Sequence, residues 1–135
     1  MPGQILIIET DSTLRTKLVQ YLYQKAFDVL IADQKQTALD TLKRIWKNDP
    51  LILLGLEGLK REGIAILEMI RKAYPELKVI IMNTGDQFDL SIEAMRLGAF
   101  DDILIPIDLN GLINCLGKAQ SSETNMHHTN EYNSN

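Results

Sequence analysis

The sequence predicts an α/β protein in which five parallel strands alternate with five helices, a (βα)5 order, and three observations carry that prediction. Five short runs are apolar without alternation, as strands covered on both faces are. Between them lie segments whose apolar residues recur every three to four positions, the pattern of a helix with one buried stripe. Strand and helix signals follow one another about every 25 residues without side-chain identity between units, which excludes a solenoid. The chain has 135 residues, 45% of them hydrophobic and 24% charged. That is the size and composition of one globular domain.

The first run is Ile5-Leu6-Ile7-Ile8; Leu14, Leu18 and Leu22 then recur at four-residue spacing, with Asp11 or Ser12 as the cap of the first helix. Val29-Leu30-Ile31 gives the second strand, and Asp33 is expected to cap a helix carrying Ala38, Leu42 and Ile45. Leu51-Ile52-Leu53-Leu54 is followed by Ile64, Leu67 and Ile70, and Val79-Ile80-Ile81-Met82 by Leu90, Ala94 and Leu97. Ile103-Leu104-Ile105 closes the set, with Asp108 as the expected cap of a helix bearing Leu109, Leu112, Ile113 and Leu116. Pro50 and Pro75 fall beyond helix ends. Right-handed crossovers favour a doubly wound, flavodoxin-like five-stranded parallel sheet of order 2-1-3-4-5, whose ligand sites stand at the carboxyl ends of the strands. Composition shifts near Gln120, so residues 1–120 are expected to form the domain and 121–135 a disordered polar C-terminal tail.

Several functions are disfavoured at once. A formal net charge of −4 argues against nucleic acid as a partner. No apolar run approaches the roughly 18 residues that cross a bilayer. The start, Met1-Pro2-Gly3-Gln4, lacks a basic segment followed by an apolar signal region, so a cytoplasmic location is expected. Cys115 is the single cysteine and is expected in the core, while His127 and His128 fall in the tail, so neither a disulfide nor a zinc set is available. Trp46 is expected to pack, partly buried, beside the stripe of the second helix. Met69, Met82 and Met95 are expected to fill core gaps, and Lys60-Arg61-Glu62 to be a solvated loop rather than a docking patch.

Three stretches resemble the receiver domain of bacterial two-component response regulators. They are Ile5-Leu6-Ile7-Ile8-Glu9-Thr10-Asp11-Ser12-Thr13-Leu14-Arg15, Phe27-Asp28-Val29-Leu30-Ile31-Ala32 with Ala38-Leu39, and Glu93-Ala94-Met95-Arg96-Leu97-Gly98-Ala99-Phe100-Asp101-Asp102 running on to Pro106. The likeness spans residues 4 to about 119. It implies a phosphoryl acceptor at the end of the third strand, where Leu54-Gly55-Leu56-Glu57-Gly58-Leu59 stands. Gly55 occupies that position and has no carboxylate to attack phosphorus. The resemblance also implies a divalent cation held by paired carboxylates after the first strand. Here Glu9 keeps one carboxylate, Thr10 replaces the direct ligand, and Asp11 stands one residue late, where a helix cap is expected.

The family's lysine corresponds to Ile105, and the following Pro106 is expected to keep a cis bond. The switch hydroxyl maps to Asn83, or to Thr84 with a one-residue shift, and the aromatic switch residue maps to Asp102. The resemblance therefore implies a degenerate receiver, not an enzyme, that signals by contact with other signalling proteins. The expected docking face is the fourth helix, fifth strand and fifth helix, presenting Arg96, Asp101, Asp102 and Asn110, with a homodimer through it as one partner. A tail of only 15 residues leaves no output domain in this reading.

No cofactor is expected; a magnesium ion weakly held by Glu9 and Asp11 is the alternative. Glu9 and Glu57 are expected close together, their repulsion relieved by solvent. Two other functions compete: a receiver phosphorylated at Glu57, and a flavin- or nucleotide-binding protein using Thr10, Ser12, Thr13 and Thr16. The last lacks a glycine-rich phosphate loop and sets Glu9 and Asp11 against an anionic ligand.

Overall fold

The structure, a computed structural model, describes residues 3–133, and the side chains of residues 3–121. Strands β1 (Gln4–Ile8), β2 (Asp28–Ala32), β3 (Leu51–Gly55), β4 (Val79–Asn83) and β5 (Asp101–Leu104) form one parallel sheet of order β2-β1-β3-β4-β5. Helices α1 (Ser12–Gln24), α2 (Lys35–Ile45), α3 (Arg61–Ala73), α4 (Phe88–Arg96) and α5 (Leu109–Asn133) connect and cover them. A helical turn, Leu56–Leu59, joins β3 to α3, and 3-10 turns occupy Trp46–Asn48 and Gly85–Gln87.

Continuous hydrophobicity has the expected cause. β3 and β4 are buried at every residue, and Ile5–Ile8 of β1 are fully buried. Alternate side chains feed two layers. One holds Leu6, Ile8, Ile52, Leu54 and Ile81 against α2, α3 and α4; the other holds Ile5, Ile7, Leu53, Ile80 and Met82 against α1 and α5. The outer strands β2 and β5 are only partly covered, as sheet edges are.

The structure corrects several boundaries. Asp33 does not cap α2: Gln34 is the N-cap, with no side-chain hydrogen bond, and Thr37 Oγ1 donates to the Gln34 carbonyl instead. β5 begins at Asp101, two residues before the apolar run, because pairing with β4 already holds its backbone. Helix α5 continues past Gln120 to Asn133; residues 118–133 contain no Gly or Pro to stop it. His127 and His128 fall in that stretch, and their side chains lie outside the described residues. Met82 is in the core, but Met69 and Met95 are 38% and 40% exposed rather than gap fillers. Trp46, at 43%, stands more open than a packing residue. Cys115 is buried as expected, and burial pushes its thiol up to about 12.

Candidate functional site

The carboxyl ends of β1, β3, β4 and β5 meet at one edge of the sheet, and the residues the sequence points to stand there. Glu9 follows β1 directly, its amide held by the Ala32 carbonyl at 3.0 Å. Its side chain does not face solvent: the residue is 3% exposed. Glu9 Oε2 accepts the Asp11 amide at 2.9 Å. Burial raises the Glu9 carboxyl pKa; the Asp11 and Thr10 amides oppose that shift, and the negative charges of Asp11 and Glu57 add to it. Glu57 is exposed. Solvent therefore relieves only the Glu57 half of the expected repulsion, and Glu9 relies on backbone donors.

Glu9 is buried because β3 leaves room for it. A Cβ on Gly55 would meet Glu9 Cδ at 2.7 Å and Oε2 at 3.2 Å, and would overlap Oε1 outright. Gly55 has φ −84° and ψ 122°, an extended backbone open to any residue, so glycine is needed here for space rather than conformation. The same exchange recurs at Gly58, whose Cβ would lie 3.1 Å from Thr10 Cβ and overlap Thr10 Oγ1. Two side chains following β1 thus occupy the space left by two glycines, one ending β3 and one three residues later. Close by, Lys60 has φ 51° and ψ −125°, a strained geometry for a residue with a Cβ, at the joint between the helical turn and α3.

One carboxylate oxygen of Glu9 and one of Asp11 are already engaged by backbone amides. Asp11 is the N-cap of α1, and its Oδ1 accepts from the Thr13 amide at 2.9 Å and the Leu14 amide at 3.2 Å. Arg15 donates to the carbonyls of Glu9 (2.8 Å) and Thr10 (3.3 Å). Among the described residues, no group of three or more His, Cys, Asp or Glu is arranged to hold a metal. The donor set does not fit the divalent ion that the resemblance implies.

At the end of β4, Asn83 is buried at 2% exposure and fully bonded. Its amide nitrogen donates to the Gln87 carbonyl (2.7 Å) and to Ser91 Oγ (2.8 Å), while its Oδ1 accepts the Thr84 amide (3.0 Å). One side chain thereby ties β4 to the 3-10 turn and to α4. Ile105 packs into the layer below α1 and α5, and the Ile105–Pro106 bond is cis. Arg61, at the start of α3, pairs through two guanidinium nitrogens with Glu93 of α4, which holds the Glu93 carboxyl below its usual range.

The docking-face residues divide. Arg96 and Asp102 line one shallow groove of about 370 Å³ with Phe88, Ser91, Ile92 and Met95. Asp101 turns away: its Oδ2 lies 3.5 Å from Cys115 Sγ and its Oδ1 accepts the Asp102 amide. Asn110 opens α5, with its amide on Asp108 Oδ1, and does not line the groove. The expected polar face proves apolar at its centre, where Phe88 (66%), Ile92, Met95 and Leu104 (65%) are exposed. Phe88, Ile92 and Met95 recur at i, i+4 and i+7 and form a second apolar stripe on α4, a signal that could have revealed the face from sequence.

The family profile of the response regulator receiver domain matches residues 5–116. Over 115 residues the chain is 27% identical to an NtrX-like response regulator of Rickettsia felis, covering 85% of this chain and 24% of that protein. It is 29% identical over 120 residues to the DNA-binding transcriptional regulator NtrC of Rhizobium meliloti, covering 85% of this chain and 23% of that one. The chain spans about a quarter of the length of these relatives. The crystal structure of a response regulator receiver domain protein from Clostridium thermocellum superposes with a TM-score of 0.85 at 24% identity, covering 92% of this chain and 98% of that one.

Proposed function

Since this chain belongs to the response regulator receiver family, we propose that it serves two-component signalling as a receiver that works by docking, without taking a phosphoryl group. One observation carries the reading: the Glu9 carboxyl group fills the space that a side chain at position 55 would need. Phosphoryl transfer to a receiver calls for a nucleophilic carboxylate, an anionic metal site and a cation for the phosphoryl oxygens. The three corresponding positions here are Gly55, Thr10 and Ile105. Glu9 does not replace the nucleophile, because it is buried and bonded to the Asp11 amide. The oxygens present are a poor fit for a metal ion. The fully bonded Asn83 and the Arg61–Glu93 pair favour one fixed arrangement of α4 over a phosphate-dependent pair of states.

Docking falls to the α4–β5 face. Phe88, Ile92, Met95 and Leu104 supply apolar area for a partner protein, and Arg96 and Asp102 supply a charged rim of both signs. Another signalling protein is the proposed partner, with a second copy of the chain as the alternative; the proposed setting is the cytoplasm. The test is partner capture from the native host, with and without a small-molecule phosphodonor. The same partners are expected in both conditions, and a Leu104→Asp/Arg96→Glu variant loses them. Capture that requires the phosphodonor, and disappears in Glu57→Gln, would replace this reading with phosphorylation at Glu57.

A further inference from the structure

The opposite end of the fold, where α2 and α3 finish, carries a second surface whose chemistry the α4–β5 face does not share. Trp46 and Tyr74 meet there with ring centroids 6.0 Å apart and planes tilted by 30°. Trp46 is 43% exposed, and Lys47 holds its ammonium 5.6 Å from the centre of the Trp46 ring. Lys43 lies one helical turn before Trp46, Lys72 lies two residues before Tyr74, and both are exposed, as is Arg44. None of these four cations has an ion-pair partner within 4.0 Å among the described residues, where the one pair is Arg61–Glu93. Residues 43–49 and 71–78 together carry a net charge of about +4 in a chain whose formal net charge is −4.

Helix polarity accounts for part of this pattern, since cations near the ends of α2 and α3 offset the partial negative charge of unpaired carbonyls. It does not account for Lys47, which lies beyond the last α-helical turn, nor for an indole left open beside a tyrosine. An exposed Trp beside a half-buried Tyr presents the residue types most enriched among those that dominate binding energy in protein interfaces. We propose that the Trp46–Tyr74 surface is a docking site for a short acidic protein segment, whose carboxylates meet Lys43, Arg44, Lys47 and Lys72 while an apolar side chain rests on the aromatic pair. Charge complementarity selects this occupant. A nucleic acid would extend beyond so small a patch onto a chain that is negative overall.

Trp46 is the single tryptophan of the chain, so its fluorescence reports this surface alone. The experiment titrates the full chain with a short glutamate-rich peptide carrying a central leucine, at low and high salt, and in parallel with oligothymidylate of equal charge. The peptide should shift Trp46 emission saturably and bind roughly tenfold more weakly at high salt. Lys47→Glu/Lys72→Glu should weaken it by at least about tenfold at unchanged far-UV circular dichroism. Leu104→Asp, on the other face, should leave it intact. A flat titration, binding indifferent to the charge reversal, or tighter binding of oligothymidylate overturns the proposal. None of these results bears on the phosphoryl chemistry of the opposite end.

Discussion

Replacing Gly55 with alanine drives a methyl group into the Glu9 carboxyl, and the size of the effect follows from the geometry. The alanine backbone is unstrained at φ −84° and ψ 122°, so no conformational penalty contributes. The added Cβ stands 2.7 Å from Glu9 Cδ, which forces Glu9 out of its place. Overpacking of this kind costs about 1–3 kcal/mol. Displacing the carboxyl also loses its bond to the Asp11 amide, a hydrogen bond to a charged group being worth about 1.5–3 kcal/mol. Because a displaced carboxylate regains water, about 2–3 kcal/mol in total is expected, or a fall in Tm of roughly 8–12 °C for a domain of this size.

Urea unfolding of the four proteins of a double-mutant cycle, Gly55→Ala with Glu9→Ala, measures the coupling. With the carboxyl group removed, alanine at 55 should be nearly neutral, giving a coupling energy of about 1.5–2.5 kcal/mol. Penalties that add to within about 0.5 kcal/mol would refute the interlock between the two positions.

Gly58→Ala should cost less than about 1 kcal/mol, because Thr10 and Gly58 are both exposed and the Thr10 hydroxyl can turn away, and Thr10→Gly should remove that cost in the same unfolding assay. Glu9→Gln should stabilise the protein at neutral pH: a carboxyl whose folded pKa lies above its unfolded value contributes most at low pH and loses that contribution as pH rises through the folded pKa. The wild-type minus Glu9→Gln difference should therefore become less favourable from about pH 4 upward, as measured by Tm across pH. Asn83→Ala should cost about 1–3 kcal/mol and accelerate amide exchange in residues 84–91, because three hydrogen bonds of one buried side chain go together. Lys60→Gly should gain about 1 kcal/mol by removing strain at φ 51°, and no gain would argue that this geometry is relaxed.

The fold was legible because its signals are local. Runs such as Leu51–Leu54 and stripes such as Ala38, Leu42 and Ile45 report burial within a few residues of themselves. The site was legible residue by residue but not as an arrangement. Glu9 and Gly55 both stand out in the sequence, yet the fit of one into the other depends on β1 pairing with β3, a contact between residues 46 apart. Charge alone predicts an exposed Glu9; the pairing of β1 with β3 is what buries it. Asp33 looked like a cap because its type suits the role, but the backbone enters α2 one residue later, at Gln34. The polar expectation for the α4–β5 face rests on its charged residues alone, whereas the spacing of Phe88, Ile92 and Met95 marks an apolar stripe in the same sequence.

Intact-mass measurement of the full chain after incubation with a small-molecule phosphodonor and magnesium ions, under conditions that preserve acyl phosphates, bears most directly on the filled pocket. An unchanged mass is the expected result. A phosphoryl adduct on Glu9, Asp11 or Glu57 would contradict the account.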